Sequence, residues 1–384
     1  MNVRKIFAER SMFKGWYVDT GLLVSIILLW GLGLLLLYVC SADYAMKAFS
    51  NPHYFINRQV IMSGFGILVM IVSFVVPHGI IRRFLPFIMI GTFVLCILPF
   101  VPGFASPRNG AHRWIVLPIL GDTFQPSELS KIAMVLFLAN WFDKFIKKPE
   151  DNYRSLFPPV FTLCLFSGEV MLQDDFSTAL LIFAIGFLMM YVAGARLGRL
   201  IPFMFLAAAA MLLFVFTSDF RVNRLIAFIN PDYDTHGYNY QTAAARTAIS
   251  DGGILGNGFG AGLERIRLVP EIHTDYIFSG WAEAMGFLGV LGYFCILGFF
   301  AWRGYSLMIE SKNKFSALLA FGLTSIIVVQ SLLNCGVVCG ALPVTGITLP
   351  FFSSGGSSLL ATCCICGLLL GISYRNRVED IDEV

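Results

Sequence analysis

Charge is scarce in this chain: Asp, Glu, Lys and Arg together make up 13% of its 384 residues, against 57% apolar residues. The Leu, Ile, Phe and Val runs repeatedly reach the ~20 residues needed to cross ~30 Å of hydrocarbon, which makes this a polytopic membrane protein. Those runs lack the alternation of barrel strands, and only helices or closed barrels satisfy every backbone group in lipid, so a helical bundle is predicted. The first 18 residues lack an apolar core and a small-residue cleavage site; the first span is expected to be an uncleaved anchor rather than a cleavable signal peptide. No basic helix or stripe gathers the dispersed cations behind the net charge of +3, which argues against nucleic acid as a partner. Nor does histidine accompany the cysteines. Eight of the nine, Cys40, Cys96, Cys164, Cys295, Cys335, Cys363, Cys364 and Cys366, lie in or at the ends of apolar spans, where a thiol behaves as a small hydrophobe. Cys335 and Cys339 are four apart with no histidine to complete a zinc set, so no metal site is predicted.

What the chain does contain is about ten apolar spans, near 19–40, 60–77, 84–101, 127–142, 156–171, 177–194, 200–217, 276–300, 316–336 and 356–374. The predicted fold class is all-α. An even number of spans puts both termini on one side, and Arg82, Arg83, Lys147, Lys148, Arg196, Arg199, Arg303, Lys312, Lys314, Arg375 and Arg377 fall in the short connections and tail of that side. By the positive-inside rule it is cytoplasmic. We therefore expect one integral-membrane unit over 1–384, with a cytoplasmic tail at 1–18, a large outer loop at 218–275 and a cytoplasmic tail at 375–384.

Three outer segments, 101–131, 218–275 and 337–358, hold nearly all of the informative polar residues, which places any chemistry outside. Several matches fail on that placement. Gly256-Asn257-Gly258-Phe259-Gly260-Ala261-Gly262 has no strand before it and no βαβ unit around it, so it reads as a flexible turn and not as a nucleotide site. Asp232-Tyr233-Asp234 resembles an acidic pair for a nucleotide sugar, but such donors are cytoplasmic, and an Asx-type turn after Asn230-Pro231 accounts for it better. Ser311-Lys312-Asn313-Lys314 fits Ser-x-x-Lys only as a string, on the wrong face.

The run Val269-Pro270-Glu271-Ile272-His273-Thr274-Asp275-Tyr276-Ile277-Phe278 leads directly into a span. A carboxylate at the boundary of water and lipid is costly unless it works, which makes Asp275 the first candidate for chemistry; the alternative is a helix cap, which Thr274 could serve equally well. In Phe124-Gln125-Pro126-Ser127-Glu128-Leu129-Ser130-Lys131, Pro126 suits a first helical turn, and Glu128 and Lys131 then share one face. They either neutralise each other as an anchor or hold a charged ligand. Arg113 beside Trp114 similarly suits an interfacial anchor. Residues 340–358, with Pro343, Pro350 and several glycines, cannot form an ordinary span yet are too apolar for a solvated loop. Broken apolar backbone is tolerated at membrane depth only inside protein or along a cavity, so a re-entrant segment walling an outward-open pocket is expected.

Four motifs carry a resemblance that covers nearly the whole chain: Gly110-Ala111-His112-Arg113-Trp114-Ile115, Gln125-Pro126-Ser127-Glu128-Leu129, Val269-Pro270-Glu271 with His273-Thr274-Asp275-Tyr276-Ile277-Phe278, and Leu342-Pro343-Val344-Thr345-Gly346-Ile347-Thr348-Leu349-Pro350. Together, in this order, they resemble the shape, elongation, division and sporulation (SEDS) family, whose branches include FtsW and RodA. The resemblance implies a peptidoglycan glycosyltransferase that polymerises lipid II on the outer face of the cytoplasmic membrane beside a class B penicillin-binding transpeptidase. The family's essential aspartate falls on Asp275, which would be the general base toward the C4 hydroxyl of the acceptor sugar. The pyrophosphate leaving group calls for cations, for which Arg113, Lys131, Arg221 and Arg224 are candidates. Glu128, Asp175, Glu271, His273 and Ser353 complete the candidate substrate-facing set together with Glu283, ~12 Å deeper along the span of Asp275, where a structural role is the first reading. The resemblance implies no certain cofactor and leaves a divalent cation open.

The chain departs from the family twice. Where the family shows Gln-Pro-Asp, it has Gln173-Asp174-Asp175, an acid in place of proline; Ser354 stands where the family has tyrosine. Asn51-Pro52-His53-Tyr54-Phe55-Ile56-Asn57-Arg58-Gln59 and Pro270-Glu271-Ile272-His273-Thr274-Asp275 look more like the division branch than the elongation branch, which implies a place at the septum. A lipid II transporter and a non-catalytic scaffold are the competing classes. A transporter should place ionisable groups at mid-membrane and show inverted repeats; no internal repeat is detectable, and the polar motifs crowd the outer face.

Overall fold

A computed structural model describes residues 18–104, 112–117, 122–145, 153–230, 239–259, 269 and 272–382. Its helices are α1 (Thr20–Phe49), α2 (Tyr54–Val75), α3 (His78–Ile97), α4 (Ser127–Lys144), α5 (Tyr153–Leu172), α6 (Phe176–Val192), α7 (Leu197–Phe216), α8 (Asp219–Ile229), α9 (Tyr240–Gly252), α10 (Ile277–Glu310), α11 (Lys314–Val338) and α12 (Gly356–Asp382). Each apolar stretch named above coincides with one of α1–α7 or α10–α12. Among the described residues, seven helices are long and apolar enough to cross a membrane (α1, α2, α3 with its following turn, α7, α10, α11 and α12), and α5 and α6 carry shorter apolar runs. The chain is an all-α integral membrane protein.

Helix α4 falls short on apolarity because it bears Glu128, Lys131, Asp143 and Lys144. It tolerates them because it is enclosed: α3, α5, α6, α11 and α12 all pack on it, and most of its side chains are buried. Polar groups on such a post meet protein instead of lipid. At one end of the bundle Asp19 accepts from Leu22 N at 2.7 Å and so caps α1, while Arg303 of α10 chelates its carboxylate and Arg377 of α12 lies 3.8 Å away. Arg82 of α3 and Asp143 of α4 pair at 2.6 Å at the same end. Arg82, Arg303 and Arg377 thus lie at one end of the structure.

The opposite end departs from expectation in three ways. A short antiparallel ribbon joins Ile115–Leu117 to Asp122–Phe124, with Ile115 opposite Phe124. The expected loop over 218–275 is in part helical, as α8 and α9. Most consequentially, α10 is not continuous.

Its backbone breaks at Gly286, whose φ of 63° and ψ of −165° lie in a region reserved for glycine. The break frees the carbonyls of Glu283 and Ala284 and the amides of Phe287 and Leu288, which would otherwise bond one another. Residues 253–258 supply all four partners. Asn257 N donates to Glu283 O at 3.0 Å and Gly258 N to Ala284 O at 2.9 Å, while Phe287 N donates to Gly253 O at 2.9 Å and Leu288 N to Ile254 O at 3.2 Å. The stretch read as a flexible turn is, as far as Gly258, a fitted plug. The contact is so close that a methyl group at Gly286 would sit 2.3 Å from Gly256 N.

Gly286→Ala and Gly256→Ala should therefore each lower the thermal midpoint of the detergent-purified protein, by an amount matching at least ~1–3 kcal/mol of backbone strain. Gly292→Ala, on the same helix with nothing within 4 Å of the added methyl, should leave it unchanged or raise it. Equal midpoints for Gly286→Ala and Gly292→Ala would contradict the fitted plug.

Candidate active site

Asp275 sits in the turn that opens α10, at the end of the bundle opposite Asp19. The helix is capped by Tyr276, whose side chain makes no cap bond, so Asp275 does not occupy the N-cap position. Its main chain is fixed by Asn334 of α11, whose Nδ2 donates to Asp275 O at 2.7 Å and to Ile347 O at 2.8 Å. One amide thus joins the Asp275 turn to the irregular segment 339–355. That segment is buried as expected, with Ile347, Leu349, Phe351 and Phe352 all in the core. It lies so near α1 that a methyl group at Gly33 would meet Phe351 O at 2.3 Å.

Ser353, expected to face substrate, instead clasps the two segments: Oγ donates to Thr274 O at 2.6 Å and accepts from Leu349 N at 2.8 Å. Beside it, Ser354 N donates to His273 O at 2.8 Å. His273 is buried against the rings of Tyr44 and Phe55, with centroids at 5.3 and 4.2 Å. Burial pushes its imidazole down to about 4, so it is neutral near pH 7 and forms an aromatic wall rather than a cation.

The functional groups converge at Gly346. A methyl group there would lie 3.3 Å from Asp275 Oδ2 and 3.5 Å from Arg113 Nη1, which brings two sequence-predicted residues into one place. The ribbon explains how Arg113 arrives. Because Ile115 pairs with Phe124, Arg113 and Gln125 flank the same open end, and both reach the turn between α5 and α6. Arg113 Nη1 lies 3.9 Å from Asp175 Oδ1, and Nη2 donates to Asp174 O. Gln125 Nε2 and Ser127 Oγ donate to Asp175 Oδ2 at 2.8 and 3.1 Å. Asp175, almost wholly buried, also caps α6 through Thr178 N at 3.4 Å. The family's aspartate position is thus a fully engaged anchor. Arg221 of α8 pairs with Asp174, and Arg224 lies one turn further, its charge felt at Tyr276.

Glu128 and Lys131 pair at 2.8 Å with their side chains 7% and 3% exposed, so this is a buried ion pair and not a surface anchor. Lys131 Nζ also donates to Gln330 Oε1 at 2.7 Å, and Gln330 Nε2 donates to Thr348 O at 3.0 Å. The pair therefore supports, from behind, the segment that carries Gly346. Glu283 is buried where α9 packs on α10, with a methyl group at Gly252 meeting its Cα at 2.9 Å. Glu271, the Asp232–Asp234 pair and the 105–111 motif residues lie outside the described residues. Among the described residues, no three His, Cys, Asp or Glu side chains gather to hold a metal ion.

Gln330 and Asn334 went unremarked in the sequence. Two amides four residues apart inside an apolar span, hence on one helical face, are the signal that would have found them.

Comparison with known proteins agrees with this architecture along the chain. A "Probable peptidoglycan glycosyltransferase FtsW" of Geobacter sp. (strain M18) is 33% identical over 359 residues, 94% of this chain and 97% of its own. Stage V sporulation protein E of Bacillus subtilis (strain 168) is 32% identical over 94% of this chain and 98% of its own. A chain from the structure "Structural coordination of polymerization and crosslinking by a peptidoglycan synthase complex" superposes with a TM-score of 0.77 at 27% identity, covering 94% of this chain and 99% of that one. The rod shape determining protein RodA of Thermus thermophilus superposes with a TM-score of 0.69 at 25% identity, over 94% of this chain and 97% of its own. The FTSW_RODA_SPOVE family model, described as "Cell cycle protein", matches residues 20–378, and this chain belongs to that family.

Proposed function

We propose that this chain is a peptidoglycan glycosyltransferase that polymerises lipid II on the outer face of the cytoplasmic membrane during septal wall synthesis, with Asp275 as its general base. The observation that carries this reading is the setting of Asp275: off the helix cap, held through its main chain by Asn334, with its Oδ2 and the Arg113 guanidinium both against Gly346. A carboxylate within hydrogen-bond reach of a bound hydroxyl can take its proton in the transition state. The acceptor C4 hydroxyl passes its proton to Asp275 as its oxygen bonds to the anomeric carbon of the donor. The bond from that carbon to undecaprenyl pyrophosphate breaks, and the pyrophosphate leaves with the electron pair. Arg113, and beyond it Arg221, offer charge to that leaving group. Lys131 and Glu128 position the opposing wall through Gln330 and Thr348.

The reading includes ten membrane crossings in one unit, both termini cytoplasmic, and a crosslinking transpeptidase as partner. The relatives named FtsW support the septal role, and the likeness to a chain of a peptidoglycan synthase complex supports the partner.

The deciding experiment supplies lipid II in detergent, where no leaflet needs crossing, to the purified protein with its cognate transpeptidase. Wild type should make glycan polymer, and Asp275→Asn should fold and bind lipid II yet lose ~10²–10⁴-fold in rate. No polymer from wild type, or equal polymer from the variant, would overturn the reading; a transporter makes none in either.

Removing one member of the Glu128–Lys131 pair leaves a buried charge poorly matched, so Glu128→Gln alone should cost ~3–5 kcal/mol of stability. The double variant Glu128→Gln/Lys131→Gln should regain part of that thermal stability while polymerisation stays low. Full activity in the double variant would reduce the pair to an anchor.

For topology, a membrane-impermeant thiol reagent on intact cells should label cysteine at Ser250, exposed on α9, and miss cysteine at Lys312, exposed between α10 and α11, in a background without reactive native thiols. The reverse pattern would place the site on the wrong side of the membrane.

A further inference from the structure

We propose that Asp174 is an internal counter-anion, occupying the Arg221 guanidinium until the diphosphate of an incoming substrate displaces it. The proposal deepens the polymerase reading and rests on it for the identity of that diphosphate. Asp174 engages two cations at once: its carboxylate pairs with Arg221 Nη2, and its main-chain oxygen accepts from Arg113 Nη2. Its side chain is 41% exposed and that of Arg221 18%, so the pair is open to exchange, unlike the buried Asp175 next to it. Arg221 does not depend on Asp174 for its place. Nη1 donates to Phe214 O at 2.9 Å and to Thr217 Oγ1 at 3.1 Å, and the guanidinium lies 3.8 Å from the centroid of the Phe214 ring. Freed of Asp174, it stays where it is with one edge open. A diphosphate offers that edge more charge and more oxygens than one carboxylate does. Through Arg113 the same turn reaches Gly346 and Asp275, which puts the anion site beside the proposed base. Asp174 therefore sets how much substrate is needed to fill the site, a positioning role that shows in KM rather than kcat.

The test uses Asp174→Asn and Asp174→Gly, since the backbone at Asp174 is left-handed (φ 63°) and both residues accept that conformation. Lipid II titrations in the detergent assay should show KM lowered roughly two- to five-fold, the scale of a partly exposed ion pair, with kcat within about two-fold. Calorimetric titration with inorganic pyrophosphate at fixed ionic strength should show tighter binding by a similar factor. Adding Arg221→Gln should erase both gains. A merely structural Asp174 would instead lower kcat and the thermal midpoint and leave pyrophosphate binding unchanged. Unchanged or weaker pyrophosphate binding in both variants overturns the proposal, whatever KM does. If wild type makes no polymer, the polymerase reading falls, while the pyrophosphate titration still decides the role of Asp174.

Discussion

In hydrocarbon every peptide N–H and C=O must find a partner within the protein, and the end of this molecule that carries Asp275 is arranged around that requirement. Irregular backbone is needed to shape a site, and lipid forbids it unless something answers each exposed group. At the break in α10 the partners come from the backbone of 253–258. In the segment 339–355 side chains join the backbone in this: Asn334 and Gln330 of α11 serve the carbonyls of Ile347 and Thr348, and Ser353 serves Leu349 N. The two amides of α11 thus serve the neighbouring segment and not the helix that carries them.

The same constraint governs charge. At one end Asp19 is enclosed with Arg303 and Arg377, its main-chain amide donating to Ser373, and at the other Glu128 pairs with Lys131, whose ammonium also donates to Gln330. Such clusters add little net stability over an apolar core, but they accept one arrangement of helices and reject others. The site end combines this fixity with partial exposure at Asp174 and Arg221, where exchange with solvent ions remains open.

How much of this was readable beforehand depended on how local the signal was. Spans are local, because a run of Leu, Ile and Phe states its own environment, and each apolar stretch named from the sequence became a helix. Helix α4 was readable for another reason: Pro126 and the Glu128–Lys131 spacing marked a start that hydropathy alone leaves weak. Helices α8 and α9 were missed because short helices with polar faces carry no long apolar run. The break at Gly286 was missed because one glycine hardly changes the hydropathy of a span, and its partner segment lies some thirty positions upstream. At the site, the charged residues Arg113, Glu128, Lys131 and Asp275 stood out because charge is rare here. The contacts of Ser353 and His273 were not readable, because motif membership does not say which way a side chain is engaged. The amides of α11 were missed because they look incidental in an apolar run until the loops they hold are seen.

The plug in α10 has a mechanical consequence. A helix completed by a distant stretch of backbone is no longer a free rod, since its first piece, Ile277–Met285, is hinged to the rest at a glycine and riveted to the residues that follow α9. Force applied to α9, from whatever binds above it, is therefore passed to the short lever whose tip is Asp275. The lever has a rest angle set by four backbone bonds. The aim of the carboxylate thus answers to two mounts at once, the 253–258 plug and the Asn334 clamp.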